Sequence, residues 1–285
     1  MRPRFRGMDP VVARKLSRSL EPYHGVIYFL PEATEAYAKL GVTGRDGYFA
    51  SRSAPLGAVT PGVVIATFFN FNPTLVERAI PSAWERTTPA AMLDARLEAI
   101  DRGLRRLLGD VVESKDIARA AELARVAAEA CTIPGRPLYA GHATLPWPTE
   151  PHLVLWHAIS LIREYRGDGH IACLVAEGLD AVEALITHAA SGAVPRVALQ
   201  TSRAWSDEAW TAGIARLAAR GLVTDEGEFT DEGSALRARI EDQTDVLALP
   251  AWEALGEDGC SELRKLGRPW SRAIVDSGAF AVLPG

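Results

Sequence analysis

Apolar residues recur at helical spacing over most of the chain. In ARLEAIDRGLRRLLGDVV, Leu97, Ile100, Leu104, Leu107 and Leu108 stand three and four apart, which predicts an amphipathic helix. SKDIARAAELARVAAEAC predicts another, rich in alanine, with Ser114 as its N-cap. PHLVLWHAISLIREYRGDGH predicts a helix from about His152 to Tyr165, ended by Gly167. Downstream, DAVEALITHAASG, VPRVALQTSRA opened by Pro195, and SDEAWTAGIARLAARG capped by Ser206 predict three more. The helical period then breaks. In LVTDEGEFTDEG, Leu222-Val223 and Glu228-Phe229-Thr230 predict two short strands around a turn at Gly227, before the helix of SALRARIEDQTDVLA.

Pro134, Pro137, Pro146, Pro148 and Pro151 fall within one short stretch, which predicts an irregular linker over 134–151. It separates an N-terminal half, 1–133, from a C-terminal half, 152–285. GRDGYFASRSAPLG can be laid over RGDGHIACLVAEGL, pairing Gly47 and Tyr48 with Gly169 and His170, and Trp84 then falls opposite Trp205. The two offsets, 122 and 121 residues, nearly agree, which predicts an internal duplication.

Composition narrows the class. In 285 residues, 48% are hydrophobic and 24% charged, the balance of a globular protein with one large core or two ordinary domains. MRPRFRGMDP is basic but has no apolar signal-peptide run, and no stretch is long and apolar enough for a bilayer span. A cytoplasmic protein is expected. Cys131, Cys173 and Cys260 make neither a disulfide framework nor a zinc motif, and His24, His157 and His170 lack metal-ligand spacing, so no metal site is expected. No cofactor-binding motif appears, and the cofactor is left unknown.

The stretch IARLAARGLVTDEGEFTDEGSALRARIEDQTDVL resembles the winged helix-turn-helix proteins of the MarR type. More broadly, EPYHGVIYFLPE, GYFASRSAPLG, FFNF and REYRGDGH resemble an actinobacterial family described only as helix-turn-helix-containing. The resemblance implies a mainly α fold of two duplicated winged-helix-like halves with small β-hairpin wings. It carries no established activity.

A winged helix that grips duplex DNA needs positive charge, because phosphate contacts supply much of the affinity. The wing here holds Asp225, Glu226, Glu228, Asp231 and Glu232 and no basic residue, and the whole chain has a net charge of -5. Arg96, Arg102, Arg105 and Arg106 are interleaved with Asp94, Glu98 and Asp101, as on a solvated helix face. Nucleic acid is therefore disfavoured as a partner.

Polar residues cluster at REYRGDGH. Taken singly they have ordinary roles: Asp168 an N-cap for a helix starting near His170, Glu164 and Arg166 facing solvent, His157 in the core. Taken together, Arg163 and Arg166 beside a helix N-terminus suit an anion, with His157, His170 and Asp168 as candidate acid/base groups. The N-terminal half offers His24, Tyr28, Tyr48 and Arg52, with Phe69 and Asn70 to line a cavity. The expected function is binding of a small organic molecule in a polar pocket between the halves, with catalysis left undecided. A ligand-responsive MarR-type DNA-binding regulator is one alternative, and a protein-interaction or structural module is another. A monomer and a homodimer are both compatible with these features.

Overall fold

Proline and short polar side chains set most of the helix starts in the computed structural model, which describes residues 7–281. Pro31, Pro61, Pro89 and Pro137 open helices at positions where the missing amide hydrogen has no partner to lose. The hydroxyls of Thr88, Ser114 and Ser206 accept from backbone amides three residues on, and Asp180 with Glu183 forms a reciprocal capping box.

In chain order the α-helices are α1 (Val11–Gly25), α2 (Pro31–Lys39), α3 (Gly44–Ser53), α4 (Pro61–Phe68), α5 (Pro73–Arg86), α6 (Pro89–Leu108) and α7 (Lys115–Glu129). They continue as α8 (Pro137–Ala143), α9 (Pro151–Ala176), α10 (Ala181–Ala190), α11 (Arg196–Arg203), α12 (Asp207–Ala219) and α13 (Asp231–Asp276). α13 is broken at Gly256, whose φ of 71° no helix accommodates. No helix among the described residues is long and apolar enough to cross a membrane.

The chain forms two compact units. Unit 1 takes residues through Val59, Ala79–Asp168, and Asp245 onward; unit 2 takes Thr60–Arg78 and Gly169–Thr244. The core of unit 1 is built on Leu16, Tyr23, Ile27, Ile100, Leu104 and Trp252, all at most 2% exposed. Unit 2 packs Leu185, Trp210, Leu217, Leu236 and Ile240 around its own centre.

Two expectations fail here. The described residues contain no β-strand. Around the expected wing a single antiparallel bridge joins Val223 to Phe229, so a winged helix of the MarR type is not built. The turn itself takes up the segment. The Thr224 amide donates to the Glu228 carbonyl oxygen (2.8 Å) and the Thr230 amide to that of Leu222 (3.2 Å), but α12 ends at Ala219 and α13 starts at Asp231, which leaves too few residues for a ladder.

The second failure is at GDGH. Gly167 and Gly169 do not end a helix; α9 runs through them unbroken to Ala176. Most of that helix is buried, among them Trp156, Ile159, Leu161, Ile162 and Tyr165. Packing on several sides outweighs the roughly 1 kcal/mol that each internal glycine costs relative to alanine.

Candidate functional site

Five helices and one short turn bring a polar cluster into the middle of unit 1. α1 supplies His24, the turn after it Tyr28, α3 Arg52, α6 Arg96, α8 His142, and α9 Trp156, His157, Ser160 and Glu164. Ser160 Oγ donates to the Trp156 carbonyl oxygen (2.8 Å) and so has a lone pair for His24 Nδ1 at 2.8 Å. That places the His24 proton on Nδ1 and leaves Nε2 to accept from the Tyr28 hydroxyl at 3.4 Å. Tyr28 in turn accepts from Arg96 Nη2 (3.3 Å), while Arg96 Nη1 donates to the Ser51 carbonyl oxygen (2.8 Å). The guanidinium also lies 5.2 Å from the Trp156 ring centroid.

Beside this chain of donors sits an ionic group. Arg163 Nη1 is 2.7 Å and Arg52 Nη2 is 3.6 Å from Glu164 Oε2, and Arg52 also donates to the Tyr48 hydroxyl at 3.2 Å. Burial alone would raise the Glu164 carboxyl, but the two guanidiniums outweigh it and hold the group ionised, well below the usual range. Burial, reinforced by Arg163, keeps His24 neutral; burial and Arg96 push His142 down to about 3 and His157 to about 4. Glu164 Oε1, His142 Nε2 and His157 Nε2 are buried without a hydrogen-bond partner among the described residues.

The residues expected to line one pocket are divided between the two units. His24, Tyr28, Tyr48, Arg52, His157 and Arg163 belong to unit 1, whereas Phe69, Asn70 and His170 belong to unit 2. The cavity beside Arg163 and Glu21 has a volume of about 10 Å³, at the lower limit for one water molecule. A small organic ligand does not fit it, and the reading of these residues as a ligand pocket between halves is withdrawn. Asn70 and Phe69 lie by the start of α5, where the Asn70 carbonyl accepts from Trp205 Nε1 at 3.0 Å. His170 Nδ1 pairs with the Thr244 hydroxyl at 3.0 Å.

Other residues have roles that their neighbours in the chain do not suggest. Asp168 does not cap a helix at His170. Its Oδ2 accepts from the amides of Leu138 and Tyr139, each at 3.0 Å, and so caps α8. Burial nonetheless pushes its carboxyl up to about 6, against the pull of those two amides. Arg166 pairs with Asp245 (2.9 Å), which also holds Arg14 (2.7 Å). Glu164 is 1% exposed rather than solvent-facing, and Arg96 is likewise 1% exposed rather than on a solvated face. His142, Ser160 and Arg96 were not anticipated as site residues. No group of three His, Cys, Asp or Glu side chains among the described residues is placed to hold a metal ion.

Unit 2 holds a different arrangement. α11 and α12 are joined by Ala204, Trp205 and Ser206, with Ala204 in the left-handed region at φ 56°, and α10 packs against both. Two short helices joined by a three-residue turn over a third form a helix-turn-helix. Residues 13–281 match the model of a helix-turn-helix family. The chain belongs to that family. No match was found among curated proteins or among solved structures.

A member of this family that read DNA through α12 would need cations on its outer face. Its one basic side chain, Arg216, and Arg220 just after it are exposed but engaged by neighbours in unit 2. Arg216 binds Asp180 (2.5 Å) and Glu183 (3.0 Å) at the start of α10. Arg220 donates to the carbonyl oxygens of Gly178 and Glu177, both at 2.9 Å. The exposed remainder of α12 is Asp207, Glu208, Thr211, Ala212, Ala215 and Ala219. Unit 2 as a whole has 13 carboxylates against seven arginines and no lysine.

Proposed function

We propose that this helix-turn-helix protein recognises another protein rather than duplex DNA. The observation that carries the reading is the engagement of the exposed Arg216 by Asp180 and Glu183 and of Arg220 by the Gly178 and Glu177 carbonyl oxygens, which commits both guanidiniums to partners within unit 2. Fold and function are separable, and the same three-helix scaffold presents small uncharged side chains as readily as basic ones. Thr211, Ala212 and Ala215 form such a surface on α12, and Val197 on α11 is 73% exposed. The polar core of unit 1 then serves as scaffold, its buried network specifying one packing arrangement. The reading places the protein in the cytoplasm.

Duplex DNA is the second reading, favoured by the family match and by the α11–turn–α12 geometry. One experiment separates the two. A photo-crosslinking amino acid at Ala212 is expected to give an adduct with one protein, identified by mass spectrometry and reproduced with that protein purified. A low-salt shift assay with duplex fragments is expected to show no complex. A tight, salt-sensitive complex weakened by Arg216→Ala and Arg220→Ala would instead establish the DNA reading.

A further inference from the structure

We propose that unit 2 carries a docking groove for a lysine or arginine side chain on an extended basic segment of a partner protein. The proposal rests on the reading of unit 2 as a protein-docking module and gives that module a site and a partner chemistry. A groove of about 220 Å³ lies among α10, the start of α11, α12 and the 224–228 turn. Its floor is apolar: Ile186 and Trp210, both nearly fully buried, with Ala190 and Ile214. Its rim carries Glu226 and Glu228 on either side of Gly227, together with Arg196. The φ of 87° at Gly227 allows the tight turn that sets these two carboxylates at one mouth.

The shape and the charge select the same occupant. A volume of about 220 Å³ falls below the roughly 300–1,000 Å³ of sites for drug-sized ligands, and suits one long side chain. Lysine and arginine lay a hydrocarbon stem on apolar surface while the charged head stays at a polar edge. Here the stem would lie on Ile186, Ala190 and Ile214, and the head would reach Glu226 and Glu228. Both carboxylates are exposed and make no ion pair among the described residues. By contrast Glu177, Asp180, Glu183, Asp207 and Glu241 in the same unit each have an arginine partner.

The groove already shows that its indole tolerates a cation. The Arg196 guanidinium lies 5.4 Å from the Trp210 ring centroid, held by Gln200 Oε1 at 3.0 Å and Asp207 Oδ1 at 3.3 Å. Asp207 pairs with Arg196 at 3.3 Å, whereas Glu226 and Glu228 have no such partner among the described residues. Two such carboxylates repel a phosphate backbone, which separates this occupant from a nucleic acid.

The test is fluorescence anisotropy on the full chain with a labelled peptide of alternating lysine and glycine, and with its glutamate counterpart as control. The lysine peptide is expected to bind saturably and the glutamate peptide not at all. Glu226→Gln with Glu228→Gln is expected to weaken binding about tenfold, equivalent to about 1.4 kcal/mol. Ala190→Trp, which fills the floor and leaves every charge in place, is expected to do the same. Asp225→Asn with Glu232→Gln removes equal charge outside the groove and is expected to change binding less than threefold. Equal loss in both charge variants with no effect of Ala190→Trp would overturn the groove in favour of diffuse attraction. No binding of the lysine peptide would also overturn it. If the Ala212 crosslink persisted in that case, the docking reading would stand without the groove. A salt-sensitive DNA complex would remove both.

Discussion

Arg96 donates through Nη1 to the Ser51 carbonyl oxygen at 2.8 Å while its whole side chain lies inside unit 1. A guanidinium so placed is held by hydrogen bonds and ring faces, with Tyr28 and Trp156 completing its surroundings. Arg96→Ala removes these bonds, strands the Ser51 carbonyl and leaves a cavity. It is expected to cost about 3–5 kcal/mol in chemical denaturation. Arg96→Met keeps much of the volume and sheds a buried charge, so it is expected to cost clearly less. Equal losses in the two variants would show that the charge, not the packing, is what matters.

Two of the buried histidines, His142 and His157, tie stability to acid. In the folded chain His142 and His157 are held at about 3 and about 4, against about 6.5 for an unperturbed histidine. Between pH 6.5 and those values the unfolded chain binds protons that the folded chain refuses. Their contribution is therefore intact above pH 6.5 and is lost as pH falls, by up to about 1.4 kcal/mol per pH unit for each residue. His157→Phe preserves the edge contact with Trp147, whose ring centroid is 4.8 Å away. A melting-temperature series from pH 7 to pH 4 should slope less steeply in that variant than in the parent.

Asp168 offers a cleaner separation of charge from hydrogen bonding. One of its oxygens accepts both amides at the start of α8. Asp168→Ala is expected to cost about 1–2 kcal/mol, the usual loss for a removed helix cap. Asp168→Asn keeps an accepting oxygen and removes a carboxylate that burial already disfavours, so it should remain within about 0.5 kcal/mol of the parent by thermal unfolding. A large loss in the asparagine variant would mean that the charge itself anchors α8.

Gly233 tests the seam between α13 and the turn before it. A Cβ at this position would overlap the Leu222 carbonyl oxygen and press on the Phe229 ring. Backbone on the far side of the contact cannot swing away as a flexible side chain does. Gly233→Ala is expected to destabilise unit 2 by a few kcal/mol, of order 1–3 as for overpacked cores. Limited proteolysis should then cut within 222–230 sooner than in the parent.

The parts of this molecule that were legible in the sequence are those decided locally. Ser114 and Ser206 sit where a cap belongs and do cap, and the periods of α6, α7 and α12 show plainly. Arg96 was also legible in principle, because Met92, Arg96, Ile100 and Leu104 follow one another at steps of four along the buried face of α6. The neighbouring Arg102, Arg105 and Arg106, which are exposed and paired with carboxylates, concealed it. GDGH misled because glycine propensity is a weak local term and α9 is held by burial along its length. The hairpin signal at 222–230 misled because the pairing stops at the Val223–Phe229 bridge, with α12 ending at Ala219 and α13 beginning at Asp231. Asp168 and Arg166 took their partners from distant segments, Asp168 from 29 and 30 residues away and Arg166 from 79, and Glu164 adds the distant Arg52 to its neighbour Arg163. No spacing rule reaches that far.

The cap that Asp168 places on α8 also sets an order of events in folding. A helix of seven residues is too short to persist alone, and this one has no side chain of its own capping its start. Its first amides find their acceptor on a helix thirty residues later in the chain. α8 can therefore close only once α9 has formed and come alongside, so it belongs to the late steps of assembly rather than to any nucleus. Substitutions at Asp168 should accordingly speed unfolding while leaving the refolding rate almost unchanged.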